Sequence, residues 1–339
     1  MAISKEQIFK ARYHWADLAK LVGIFGVVYI HNSGYLNSYF RFAVPVFITI
    51  SFFLIERSIL MKKTFKVKDF LRKRLSRLAV PYLLWSCVYL FFNYQSTSKS
   101  ILKFFSVHWI GFGWSGQYYL VVLASLTLLY PLFRMARVNS ISLTIILAIT
   151  LVFYIFFSYL SISKLVSKLH GLPLMYWIFY VYLGIYAARN YEKLQRNLQR
   201  VSFFYRYILL LALPLVMVIE NAFLQGSGSA RESYFRISTI LVSTLVFLLF
   251  LSLEDCLIRE EANKFNIVVN WLGSYTLGIY CLNPLVIRMT QHFQFISSNN
   301  HPSFFIELIL SISNCSIIYL ICLFISILIG QLKGTILVK

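Results

Sequence analysis

The sequence predicts an all-α protein, a polytopic transmembrane bundle of about ten helices. Two observations carry that expectation. Of the 339 residues, 59% are hydrophobic and only 13% charged, and mean hydropathy is +0.72. So few charges would not cover that much apolar surface in a soluble chain of this length. Apolar windows of roughly 18–22 residues also recur throughout, as a ~30 Å hydrocarbon core requires. They are continuous rather than alternating, which argues against a β-barrel.

The expected spans run in order. The first, 17–36, follows a polar N-terminal stretch, "MAISKEQIFKARYHWADLAK", that does not read as a cleavable signal peptide. The second, 40–60, is apolar up to Glu56 and Arg57, which read as an interfacial pair at its end. The third, 79–94, enters the membrane near Pro81, after a basic stretch. The fourth, 116–135, opens on Gln117, Tyr118 and Tyr119. Then come 141–161, 174–190 and 205–224, the last with Glu220 near its outer end, followed by 234–253 and 268–289. The tenth, 303–331, has Glu307 near its outer end. The connections are too short for a soluble domain, so residues 1–339 read as one membrane-embedded domain.

Charge placement sets an expected orientation. An even number of spans puts both termini on one side. That side collects 22 of the 32 Lys and Arg residues, eight of them between Lys62 and Arg77; the other side collects 8. The imbalance predicts cytoplasmic termini in a cell membrane. It also accounts for the +20 net charge without nucleic acid. The cysteines form no CxxC pair and the six histidines no HxxxH or HExxH spacing, so neither a disulfide framework nor a metal site is expected.

Two stretches carry candidate chemistry. In "DLAKLVGIFGVVYIHNSG", Lys20 and His31 are eleven residues apart, about three helical turns, and so share one face roughly 16 Å apart along the axis. Asp17 lies about a turn below Lys20 on that face. Charge facing lipid is costly, so the stripe should face the bundle interior or a wet cavity. The plainer alternative has Asp17 and Lys20 snorkelling at the interface and His31 hydrogen-bonded to a neighbouring carbonyl. In "KVKDFLRKRLSRLAVPYLLWS", Lys73, Arg74 and Arg77 lie within about a turn of one another. The guanidinium fork matches phosphate oxygens, which makes this a seat for a phosphorylated cytoplasmic ligand. Otherwise the stretch is only a topology signal.

These stretches resemble the acyltransferase 3 family of integral-membrane, acyl-CoA-dependent O-acyltransferases. The first helix of that family carries an Arg or Lys followed after ten residues by His, here Lys20 and His31. "FLRKRLSRLAVPYLLWS" matches the family's arginine-rich loop and third helix, and "VPVFITISFFLI" and "GQYYLVVLASLTLLYPLF" resemble its second and fourth helices. "WLGSYTLGIYCLNPLVI" resembles a late helix that usually reads Ser-x-x-x-Tyr-x-x-His-Pro. This chain departs there: Asn283 stands at the His position and Thr276 at the Ser. Phe52 replaces a usual Gly, which is expected to alter packing between the first two helices.

The resemblance implies transfer of an acyl group, usually acetyl, from acyl-CoA to a hydroxyl of a cell-surface or lipid-linked carbohydrate. No permanently bound cofactor is implied, the acyl-CoA being the donor substrate. Lys73, Arg74 and Arg77 would hold its phosphates. His31 would act as general base or carry the acyl group itself, with Lys20 and Asp17 orienting the donor. Gln117, Tyr118 and Tyr119 become acceptor-site candidates. A transporter or flippase of lipid-linked glycan is the second reading, though internal repeats and paired broken helices are not evident. A polysaccharide polymerase is a third, though the longest outer segment is modest for one. Consumption of acyl-CoA separates the enzyme from both.

Overall fold

The computed structural model describes residues 12–32, 36–62, 65–94, 114, 116–136, 138–156, 174–226, 236–254, 257, 263–290, 304–332 and 335–338. Helices dominate these residues, and no strand occurs among them. In lipid every backbone N–H and C=O must be satisfied within the protein, which leaves helices as the way across for such apolar segments.

Helix α1 (His14–Asn32) leads by a short 3-10 turn (Asn37–Phe40) into α2 (Ala43–Leu60), then α3 (Val67–Tyr94), α4 (Gln117–Met135) and α5 (Ser140–Tyr154). Next come α6 (Met175–Arg189), the short α7 (Tyr191–Leu198), α8 (Phe203–Gly226) and α9 (Ile237–Leu251). Helices α10 (Asn263–Gly273), α11 (Thr276–Thr290), α12 (Phe304–Gln331) and the one-turn α13 (Thr335–Val338) complete the described chain. Among the described residues each of the ten expected spans overlaps a helix, and 268–289 is divided between α10 and α11 at Ser274–Tyr275. Five segments, in α2 with its preceding turn and in α3, α4, α8 and α12, are long and apolar enough to cross a membrane by themselves. Helices α5 and α9 are shorter but apolar.

Helix α1 is the hub. It packs against α2, α9, α10, α11 and α12. Its first turn is held from 240 residues away: the Glu254 carboxylate accepts from the Trp15 backbone N–H at 2.9 Å and the His14 N–H at 3.4 Å. A carboxylate there satisfies orphan donors and suits the positive end of the helix dipole. By contrast α3, α8 and α12 turn large apolar side chains outward, among them Phe91, Phe223 and Phe305, as lipid-facing helices do.

Among the described helices, α2 and α6 make the most extensive pair. Gly184 makes it possible, because a Cβ there would stand 2.5 Å from the Thr49 carbonyl and 3.0 Å from the Phe53 nitrogen. Small residues at such crossings let backbones approach. Phe52 takes part here: it is fully buried, close to Gly184 and 5.9 Å from the Tyr130 ring. Its packing is thus against α6 and α4, a correction to the expectation that it would bear on the first two helices. The α1–α2 contact runs instead through Trp15 against Phe53 and Phe47 against Gly23.

A second correction concerns Glu56 and Arg57, which do not form an interfacial pair. Glu56 is fully buried. Its carboxylate accepts from Arg189 Nε at 2.8 Å and from the Tyr130 hydroxyl, with Arg134 Nε at 3.8 Å. Arg57 turns away, donating to the Tyr13 hydroxyl at 2.7 Å and pairing with Glu192 at 3.3 Å. A buried carboxylate needs charge partners, and α4 and α6 supply two arginines where the next residue along α2 has no reach.

The basic stretch is also more ordered than a loop leading into a helix. Helix α3 runs unbroken from Val67, about three turns before the apolar part, so Lys73, Arg74 and Arg77 project from helix. Pro81 lies inside it and, lacking an N–H, leaves the Arg77 carbonyl without its helical donor.

Candidate active site

Two cavities follow one another along the cleft between α2 and α3. The first, about 510 Å³, is lined by Ile55, Ser58, Ile59 and Lys62 from α2 and the turn after it, and by Phe65 to Arg77 around α3. Its cations are Lys62, Lys66, Lys73, Arg74 and Arg77, with Asp69 the carboxylate among the lining residues. This surplus of positive charge suits a ligand with several anionic groups. All three residues expected to hold phosphates line it.

The second cavity, about 290 Å³, begins about one turn further along α2, at Ile50 and Ser51, and at the next residue of α3, Leu78. Helices α1, α4, α10 and α11 close it with Asp17, Lys20, Tyr119, Thr276 and Tyr280 among others. Asp17 is buried at 4% exposure, yet it is a doubly used acceptor. Oδ1 takes a hydrogen bond from Lys20 Nζ at 3.0 Å, and Oδ2 takes one from Arg12 Nε at 2.7 Å. Arg12 is tied in turn to the Asn270 carbonyl. Two cations on one carboxylate leave net positive charge on the cavity wall, with the Lys20 ammonium fixed in place. Arg12 escaped the sequence reading because it precedes the helix and looked like topology charge.

Toward the His31 end the cavity is lined by Ile24, Phe47, Tyr119 and Tyr280. Three of these are aromatic, with Tyr119 and Tyr280 ring centroids 5.3 Å apart and Phe47 and Tyr119 6.4 Å apart. Their hydroxyls are engaged: Tyr119 with Ser51, and Tyr280 donating to the Gly116 carbonyl at 2.6 Å. Gly116 sits at φ 91, in the left-handed region that glycine tolerates, just before α4. A Cβ there would also stand 2.7 Å from the Tyr280 hydroxyl.

Tyr280 is set by an opened turn of α11. Pro284 deprives the Tyr280 carbonyl of its helical donor. Asn283 Nδ2 donates to that carbonyl at 2.6 Å and to the Ile279 carbonyl at 3.3 Å. The Tyr89 hydroxyl from α3 donates to the Cys281 carbonyl at 2.7 Å and accepts from the Leu285 N–H at 3.1 Å, bridging two groups that an unbroken helix pairs directly. Trp114 stacks on Tyr89 at 4.9 Å with an interplanar angle of 10°. Asn283, at the position where His was expected, thus serves the proline break. Thr276 keeps its hydroxyl on the second cavity and donates to the Gly273 carbonyl at 3.1 Å.

The remaining candidates are placed differently. His31 is half-buried at the far end of α1 and is not among the residues lining either cavity. The structure therefore unites Asp17 and Lys20, and leaves His31 eleven residues beyond Lys20, past these aromatic rings. Gln117 is fully buried, its amide donating to the Ser86 hydroxyl at 2.7 Å, which makes it an α3–α4 contact. Tyr118 packs partly buried against the core without lining the second cavity, whereas its neighbour Tyr119 does line it. His108, His170, His292, His301 and Cys256 lie outside the described residues.

Fold and site together define a multi-pass membrane protein with a basic cavity and, next along the same two helices, a smaller one that holds Asp17 and Lys20. Residues 13–331 match the family model described as an acyltransferase domain, that of the acyltransferase 3 family. The match covers nearly the whole chain, and the protein belongs to that family: it is a membrane acyltransferase. Neither a curated protein nor a solved structure matches it.

Proposed function

We propose that the protein transfers an acyl group, acetyl above all, from acyl-CoA to a hydroxyl of a cell-surface or lipid-linked carbohydrate. It does so in a cell membrane with both termini cytoplasmic. The observation that carries this reading is the succession of the two cavities along α2 and α3: a cationic mouth, then a narrower chamber with a fixed ammonium. Acyl-CoA has that layout, with phosphates at one end and a thin pantetheine arm bearing the thioester.

In this reading Lys73, Arg74 and Arg77 hold the phosphates, and the arm enters between Ser51 and Leu78 past Lys20. The sugar hydroxyl attacks the thioester carbonyl carbon, and neutral His31 takes its proton as the C–S bond breaks. The CoA thiolate leaves and is protonated. His31 meets the thioester only once the aromatic closure at Phe47, Tyr119 and Tyr280 yields to the arm. The same residues also accommodate an acyl-His31 intermediate, formed with loss of CoA and then attacked by the sugar.

Mass spectrometry of surface glycan tests the reaction. Glycan from cells that make the protein should carry one acyl group per modified sugar that cells lacking it do not. Arg74→Ala and Arg77→Ala variants should weaken acyl-CoA binding by about 1.5–3 kcal/mol for each charge-assisted hydrogen bond removed, with Lys restoring it only in part. Loss of the glycan itself, rather than of its acyl groups, would point to a transporter and overturn the proposal.

A further inference from the structure

The basic cavity has a second chemistry that phosphates do not use. Two aromatic rings, Phe65 and Phe70, stand in its wall among the cations. Phe65 is built on from behind. The Arg134 guanidinium lies over its ring at 4.2 Å from the centroid, and Phe70 meets it at 5.5 Å. Both rings rest on Tyr130, at 6.5 and 5.1 Å. Tyr130 and Arg134 are held by the buried Glu56 carboxylate, itself fixed by Arg189. Arg189 closes the set by donating to the Arg134 carbonyl at 3.2 Å. A buried ionic network spanning α2, α4 and α6 thus ends in an aromatic ring presented to a cationic cavity.

We propose that Phe65 is a base-stacking platform, backed by Arg134, and that the ligand of the basic cavity is therefore a purine nucleotide derivative rather than any polyanion. This rests on the acyl-CoA reading above and adds where the adenine lies. A cation over one ring face draws electron density from the ring, a planar, electron-rich purine over the other face then completes a favourable stack, and base–aromatic stacking contributes binding independent of charge. The five cations take the phosphates while the ring takes the base. Glu56 and Tyr130 act as positioning residues: they keep Arg134 and the two phenylalanines in register.

The test compares two ligands by equilibrium binding to the full chain in detergent micelles. Coenzyme A has the nucleoside, and 4′-phosphopantetheine lacks it. Phe65→Ala should weaken coenzyme A binding about fivefold or more, given about 1–3 kcal/mol per stacked base, and leave phosphopantetheine binding unchanged. Phe65→Tyr should retain wild-type affinity for both, which also shows that the position tolerates change. Arg74→Ala should weaken both. Equal coenzyme A affinity in wild type and Phe65→Ala overturns the platform while leaving the donor assignment standing. Wild-type protein that binds neither ligand overturns the donor assignment, and the platform with it.

Discussion

His31 stands apart from the charges that share its helix. Asp17 and Lys20 are locked together at 3.0 Å in the second cavity, while His31 lies roughly 16 Å further along the axis, beyond the rings of Phe47, Tyr119 and Tyr280. If it is the base, its loss must leave donor binding almost untouched, because the phosphate-holding residues are elsewhere. His31→Ala should therefore lower transfer by the ~10²–10⁴-fold of a missing general base, with coenzyme A affinity as in wild type. Turnover assays beside binding measurements on the purified variant check this, and normal turnover would remove His31 from the mechanism. At this scale the sequence was informative where spacing decides the outcome, as for Asp17, Lys20 and the α3 arginines. It was silent where the partner comes from another helix. Nothing in "LIERS" says that Glu56 will find Arg134 and Arg189 rather than Arg57, and nothing in "CLNPL" says that Asn283 will serve the carbonyl that Pro284 strands.

Helices were legible because an apolar run of membrane length has few alternatives in lipid. Their continuity was less so. The ninth expected span breaks at Ser274–Tyr275, and α3 begins about three turns before the apolar run that announced it. Both differences follow from local rules that hydropathy does not see: a helix need not stop where its side chains become charged, and a membrane crossing need not be one helix. The α2–α6 pair shows how tightly elements are matched. Gly184→Ala would drive a Cβ to 2.5 Å from the Thr49 carbonyl, a backbone atom that no rotamer change can move. Such overpacking should cost about 1–3 kcal/mol. Thermal unfolding in detergent should show a clear drop in melting temperature, whereas Phe223→Ala, on the outward face of α8, should melt close to wild type. Equal melting of the two variants would mean that the pair parts easily.

Across the whole molecule, the basic mouth and the helix ends near His14, Leu60 and Arg189 lie at one end of the bundle, with His31 and the start of α4 at the other. The proposed orientation puts the mouth in the cytoplasm. In a background with Cys87 and Cys256 replaced by Ser, a membrane-impermeant thiol reagent added outside intact cells should label Arg288→Cys, an exposed site at the His31 end, and spare Lys66→Cys. The reverse pattern would invert the topology and detach the cationic cavity from cytoplasmic acyl-CoA. The three-ring closure has a consequence at this scale that concerns the cell more than the reaction. A polar tract running unbroken between the two ends of such a bundle would let protons leak down their gradient with every opening. The Phe47, Tyr119 and Tyr280 rings, packed across α2, α4 and α11, lie where such a tract would have to run between Lys20 and His31. Rings in that place would let a charged interior sit in an energised membrane without short-circuiting it, and a largely apolar tether would be the ligand suited to part them.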